Sequence, residues 1–212
     1  MIKDDIALKV AEFLLQIKAI KLQPNDPFTW ASGIKSPIYC DNRKTLSYPT
    51  VRTFIRQCFT QKILDTFGKP DIIAGVATGG IPHGVLVAQD LGVPFVYVRS
   101  AAKKHGLGNM IEGDYKENQT VVVIEDLIST GGSSLQAVDA LKEAGLNVKG
   151  LAAIFTYGFD ISVQNFENAN CRFTTLTNYE YLLDVAIDKK YISASQVETL
   201  KEWKNNPEDW AK

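Results

Sequence analysis

The sequence is poor in the features that would send it to several large protein classes. Its three cysteines, Cys40, Cys58 and Cys171, are widely separated and odd in number. They make neither a disulfide framework nor a metal-spaced cluster, and they suit thiols kept reduced. No apolar run approaches the ~20 residues of a membrane span, so no membrane association is expected. The chain opens Met-Ile-Lys-Asp-Asp, with acids where a secretory leader needs basic residues, and a cytoplasmic protein is expected. A net charge of -1 leaves no basic surface for nucleic acid and no polybasic anchor, so any anion site must be local. Internal repeats, low-complexity segments and the G-x-x-x-x-G-K-[ST] phosphate loop are all missing. Gly106-Leu-Gly108 begins like a dinucleotide fingerprint, but the next glycine, Gly113, falls at the wrong spacing.

What remains is an ordinary globular composition. With 212 residues, 45% of them hydrophobic, the chain suits one α/β domain over residues 1–212 with a modest accessory region. Ile6, Val10, Phe13, Leu14 and Ile17 predict an amphipathic helix near the start. Pro27, Gly33 and Pro37 break any helix after it and favour short strands around a turn. Helical spacing returns over residues 48–67. From residue 71 short apolar runs alternate with helices: Asp71–Gly75, Pro94–Val98, Thr120–Ile124 and Val148–Phe155, with a helix over Ser133–Ala144. Runs of that kind are strands of a mainly parallel sheet covered by helices on both faces. The tail supplies a strand candidate, Phe173–Leu176, and two helices. Residues 71–155 are therefore expected to form the core. Residues 1–45 and part of the tail fall outside its repeating pattern and are expected to cap it.

The most informative segment is Val121-Val-Val-Ile-Glu-Asp-Leu-Ile-Ser-Thr-Gly-Gly-Ser-Ser. A buried strand is expected to end in two adjacent carboxylates, Glu125 and Asp126, and a small-residue loop then opens a helix. In open α/β sheets ligands bind beyond the carboxyl ends of the strands, so chemistry is expected here. Gly131 and Gly132 permit positive φ and close backbone approach. Hydroxyls from Ser129, Thr130 and Ser133 join the free N–H groups of the helix start, which suits a phosphate monoester. Two acids beside a phosphate cradle would repel a bare anion. They suit a ligand that also presents hydroxyls, a metal ion or developing positive charge, and ribose 5-phosphate offers all three.

This string resembles the phosphoribosyl-pyrophosphate signature of type I phosphoribosyltransferases. The resemblance implies that family's α/β fold, with a small hood made from the N-terminal and C-terminal segments. It implies that the run Glu125, Asp126, Leu127, Ile128, Ser129, Thr130, Gly131, Gly132 and Ser133 binds phosphoribosyl pyrophosphate. Glu125 and Asp126 would hold the ribose hydroxyls, and Asp126 would act at the reacting carbon or in proton handling. Mg²⁺ would be the cofactor, held mainly by the substrate, with Glu125 and Asp126 as the candidate protein contacts.

A second segment, Arg99-Ser-Ala-Ala-Lys-Lys-His-Gly-Leu-Gly-Asn-Met-Ile-Glu-Gly, groups Arg99, Lys103, Lys104 and His105 among loosening glycines. Without helix or strand periodicity it reads as a long mobile loop over 99–113, suited to neutralising a pyrophosphate leaving group. Its Lys-x-His-Gly and Ile-Glu-Gly elements resemble the catalytic loop of orotate phosphoribosyltransferases. That resemblance implies orotate as the base, contacted by Ser129, and a homodimer whose loop reaches the partner's site. It also implies that Arg99, Lys103 and His105 contact phosphoribosyl pyrophosphate, with Lys103 and His105 catalytic.

Two further pieces belong to the same likeness. Gly75-Val-Ala-Thr-Gly-Gly-Ile-Pro-His-Gly matches the family's pyrophosphate loop; some members carry a lysine at Gly79, so backbone contacts alone are expected here. His83, within it, reads as a packed helix residue. Phe28 to Arg43 resembles the hood over the base, without the lysine that some members have at Ala31. Lys35, Ser36 and Arg43 are its candidate donors. Two rivals share the acid pair: a purine phosphoribosyltransferase, which needs a different hood and loop, and a non-catalytic sensor, which needs a nucleic-acid surface.

Overall fold

The computed structural model describes residues 4–29, 33–100, 110–207 and 209–210. Helix α1 (Asp5–Gln16) starts where the Asp4 carboxylate accepts from the Ile6 and Ala7 N–H groups, at 3.1 and 3.2 Å. A turn-rich stretch follows, carrying β1 (Ile20–Leu22), β2 (Phe28–Thr29), β3 (Lys35–Ser36) and β4 (Ile38–Cys40). These pair antiparallel as β1 with β4 and β2 with β3, two small sheets separate from the main one. Helix α2 (Pro49–Phe67) begins on a proline and stops at Gly68, whose φ of 70° ends the helix.

The remaining elements are β5 (Ile72–Val76), α3 (Gly80–Leu91), β6 (Phe95–Val98), β7 (Ile111–Glu112), β8 (Thr120–Ile128) and α4 (Gly132–Glu143). After them come β9 (Asn147–Thr156), α5 (Asp160–Asn168), β10 (Phe173–Asn178), α6 (Tyr179–Asp188) and α7 (Ala194–Asn205). Six strands form the main sheet in the order β10-β9-β8-β5-β6-β7, parallel throughout except for the antiparallel pair β6 and β7. Alternation along β8 explains why its sequence is wholly apolar. Val122 and Ile124 face one buried core with Ile73, Ala152 and Ile154. Val121 and Val123 face the other with Ile72, Ala74 and Leu151.

The expected strands and helices of the core are present, and three features differ from the sequence expectation. Strand β8 does not stop at the acid pair; it runs on to Ile128, with Glu125 opposite Ala153 and Ile128 opposite Thr156 on β9. The segment after residue 99 closes as a strand, β7, hydrogen-bonded back to β6. Helix α5 went unpredicted because Ile161 and Val163 face solvent while Ser162 and Phe166 are buried, which erases the helical apolar period. In the tail, α7 is tied down by Trp203, fully buried against the rings of Tyr157, Phe159 and Tyr179. No described helix is long and apolar enough to cross a membrane.

Candidate active site

Because β8 continues through the acid pair, Glu125 and Asp126 leave the strand on opposite faces. Glu125 turns inward toward α4 and is 5% exposed. Its carboxyl accepts from the Asp126 N–H at 2.9 Å and from the Ser134 hydroxyl at 3.2 Å. Burial, followed by the neighbouring Asp126 charge, pushes its pKa up to about 9. Asp126 is half-buried and lies over the loop that precedes α3. A Cβ on Gly79 would run into the Asp126 carboxylate, and one on Gly80 into the Ile124 carbonyl oxygen. Glycine at both positions lets this loop close against the end of β8, where the Ala77–Thr78 peptide is cis.

Beyond the acids, Leu127 is partly buried and Ile128 fully buried, with the Ile128 carbonyl accepting from the Tyr157 N–H at 3.2 Å. Ser129 and Thr130 form the bend, and Asn165 fixes it by donating to the Thr130 carbonyl at 3.0 Å. Gly131 precedes α4 with φ of 84°, and a side chain there would meet the Phe166 ring at 2.8 Å. No side chain caps α4. Its first N–H groups, with Gly132 and Ser133 exposed beside them, offer a concave donor set for an anion.

Around this centre the predicted residues are placed unevenly. Arg99 follows β6, its backbone N–H on the Met110 carbonyl and its guanidinium 3.4 Å from Glu112. Lys103, Lys104 and His105 fall at 101–109, outside the described residues, as do Trp30 and Ala31 of the expected hood. In the N-terminal segment expected to form the hood, Ser36 is buried and donates to the Ile38 carbonyl, Arg43 pairs with Asp41 at 2.7 Å, and the Lys35 ammonium donates to the Thr29 hydroxyl. His83 is a packed helix residue, 6.3 Å from the Phe59 ring and 3.3 Å from the Thr45 hydroxyl, and burial lowers its pKa to about 4.

One residue missed in the sequence joins the N-terminal segment to the acids. Asn42, 1% exposed, donates from its amide to the Asp126 carbonyl at 2.7 Å. Its own carbonyl accepts from the Thr45 hydroxyl at 2.6 Å. No sequence pattern connects residues 84 positions apart; only the fold does. Next to Ser129 and Thr130 opens a cavity of about 580 Å³, walled by Ile34, Gly158, Phe159 and the end of α7.

Among the described residues no group of three or more His, Cys, Asp or Glu side chains could hold a metal ion by itself. A Mg²⁺ brought by a polyphosphate needs only one or two carboxylates, and Asp126 fits that requirement. Glu125 fits it less well, since both its oxygens are engaged inside the protein.

A sequence model of the phosphoribosyl transferase domain matches residues 47–175. An orotate phosphoribosyltransferase of Listeria monocytogenes serotype 4b is 59% identical over 207 residues, covering 98% of this chain and 99% of that protein. One from Bacteroides fragilis strain YCH46 is 58% identical, covering 94% of each. Among solved structures, Leishmania donovani UMP synthase superposes with a TM-score of 0.76 at 26% identity, covering 93% of this chain and 42% of that one. The orotate phosphoribosyltransferase of Aeropyrum pernix gives 0.75 at 23% identity, covering 87% and 99%, a likeness of fold. The chain therefore belongs to the phosphoribosyltransferases and, within them, to the orotate phosphoribosyltransferase family.

Proposed function

We propose that this chain transfers ribose 5-phosphate from phosphoribosyl pyrophosphate to N1 of orotate, giving orotidine 5′-monophosphate and pyrophosphate on the route to UMP. The observation that carries the reading is the 59% identity, over nearly the whole chain, to a protein named for that reaction. The site chemistry agrees. An uncapped helix start with hydroxyls beside it suits the 5-phosphate, and an acid near the end of β8 suits the ribose. Charge-assisted hydrogen bonds of about 1.5–3 kcal/mol each outweigh the helix dipole, at about 0.3–1 kcal/mol, so the loop donors carry phosphate binding.

In the mechanism we assign, Ser129 to Ser133 hold the 5-phosphate and so fix C1 over Asp126. The bond from C1 to the pyrophosphate oxygen breaks as N1 of orotate bonds to C1 from the opposite face, its proton passing through solvent to the departing pyrophosphate. Asp126 stabilises the positive charge that develops on the ribose, and this term grows only in the transition state. Buried Glu125 holds the Asp126 N–H and Asn42 holds its carbonyl, so the acid is oriented from both sides. Gly79 offers backbone N–H to the pyrophosphate. Arg99, Lys103 and His105 receive its charge, with Arg99 giving up Glu112 to do so. Bound Mg²⁺, contacted by Asp126, would supply charge neutralisation at the leaving group. Orientation and electrostatics suffice, without a covalent nucleophile.

Residues 1–45 and part of the tail are read as the hood, and residues 99–113 as a loop shared across a homodimer acting in the cytoplasm. The test is turnover of phosphoribosyl pyrophosphate with Mg²⁺ and orotate, uracil, adenine, hypoxanthine or xanthine in parallel. Orotate-dependent pyrophosphate release, with the others near background, is expected. Preference for a purine would sink the base assignment, and silence with every base would sink the enzyme.

A further inference from the structure

The cavity beside Ser129 and Thr130 has a charge distribution that the reaction so far leaves unused. Ile34 and Phe159 give it apolar walls, and Ser129 and Thr130 give it hydroxyls. Its two charged lining residues among those described are Lys204, near the end of α7, and Asp160, exposed at the start of α5. Orotate is a flat pyrimidine with one carboxylate, and a cavity that sets apolar walls and hydroxyls beside one cation is the matching chemistry, with Asp160 toward solvent at the exposed start of α5. We propose that Lys204 reads the carboxylate of orotate and so makes the enzyme selective for the acidic pyrimidine over uracil; the proposal rests on the orotate reading above.

Three observations support it. First, Lys204 is anchored: its neighbour Trp203 is fully buried, so the helix turn that carries it cannot drift. Second, its ammonium reaches the cavity wall. The Lys204 Nζ lies 3.7 Å from where a Cβ on Gly158 would stand, an ordinary contact distance, and both residues line the cavity. Third, its ammonium is only loosely engaged. It pairs with Glu180 at 3.3 Å, but the Glu180 side chain is 79% exposed, and such a pair yields readily to a buried carboxylate. The two cations that the sequence offered as hood donors have other partners, Asp41 for Arg43 and the Thr29 hydroxyl for Lys35.

The decisive variant is Lys204→Met, which keeps an unbranched apolar stem beside Gly158 and removes the charge. In the intact enzyme the KM for orotate should rise about tenfold or more, equivalent to about 1.4 kcal/mol. The KM for phosphoribosyl pyrophosphate and the slow rate with uracil should stay within about twofold, so discrimination between the two pyrimidines collapses. Lys204→Arg should recover most of the loss. Glu180→Gln, which breaks the ion pair and leaves the lysine, should keep orotate KM unchanged or lower it. An unchanged orotate KM in Lys204→Met overturns the proposal. So does an equal rise in both KM values, or a Glu180→Gln enzyme that reproduces the defect, since either means damage to α7. Wild-type enzyme that ignores orotate and uses another base defeats the reading underneath instead.

Discussion

At the scale of single residues, the acid pair divides its work because a strand sends adjacent side chains to opposite faces. Glu125 is held inside by Ser134 and the Asp126 N–H, while Asp126 stands over Gly79 at the surface of the site. In the role proposed for it, facing the ribose, Asp126 loses its charge in Asp126→Asn, which should cost about 100-fold or more in kcat, with the melting temperature nearly unchanged. Glu125→Gln keeps a neutral acceptor for the Asp126 N–H and should cost about tenfold at most; an equal loss in both enzymes would refute the division. His83 offers a pH test. Its pKa falls from the ordinary 6.5 to about 4 because burial disfavours the charged ring. A depressed folded pKa means that the unfolded chain binds the proton first. Stability is therefore full above pH 6.5 and drains away as pH falls toward 4, by up to about 3 kcal/mol. Melting curves between pH 7 and 5 should fall more steeply for the wild type than for His83→Gln, and parallel curves would refute the assignment.

The loop into α4 lacks the usual local stabilisers of a helix start. Helix α4 has no side-chain cap, and its entry needs a positive φ at Gly131 with no Cβ against Phe166. Gly131→Ala should destabilise by about 1–3 kcal/mol and weaken phosphoribosyl pyrophosphate binding together. Calorimetry and a KM measurement on one preparation check this, and a variant with full affinity would show that the cradle tolerates a shifted backbone. Elements of this kind were legible in the sequence. Strands β5, β8 and β9 announce themselves because both their faces are largely buried, β6 because its apolar residues alternate between full and partial burial, and the Gly131-Gly132 pair marks the turn into α4. Helix α5 was hidden, since Ile161 and Val163 face outward. Asn42 was hidden for a different reason: its role exists only where the N-terminal segment meets the Asp126 carbonyl. Lys204 likewise acquires a site only when α7 folds back beside Gly158. Sequence patterns report burial along one element, and contacts between distant elements leave no period to read.

On the scale of the whole molecule, the question is whether one chain completes its own site. The main sheet ends at β7, pinned to β6 by the Arg99 N–H on the Met110 carbonyl, so both ends of the 99–113 segment leave from one edge. Asp126, in contrast, lies three strands in from β7, on β8. If the segment serves the partner's site, two damaged chains must repair each other. A Lys103→Ala chain keeps its acid and lends a useless loop; an Asp126→Ala chain keeps its loop and has a useless acid. Each mutant alone is expected to lose nearly all turnover, with Lys103→Ala expected to melt like the wild type in a thermal scan. Equal mixing by unfolding and refolding makes half the dimers mixed, and each mixed dimer holds one intact site of two. Activity should return to about a quarter of the wild-type value. If each loop serves its own chain, every site in the mixture carries one damaged part. Activity then stays at the level of the parents even with mixed dimers demonstrated by mass, and the shared-loop reading fails.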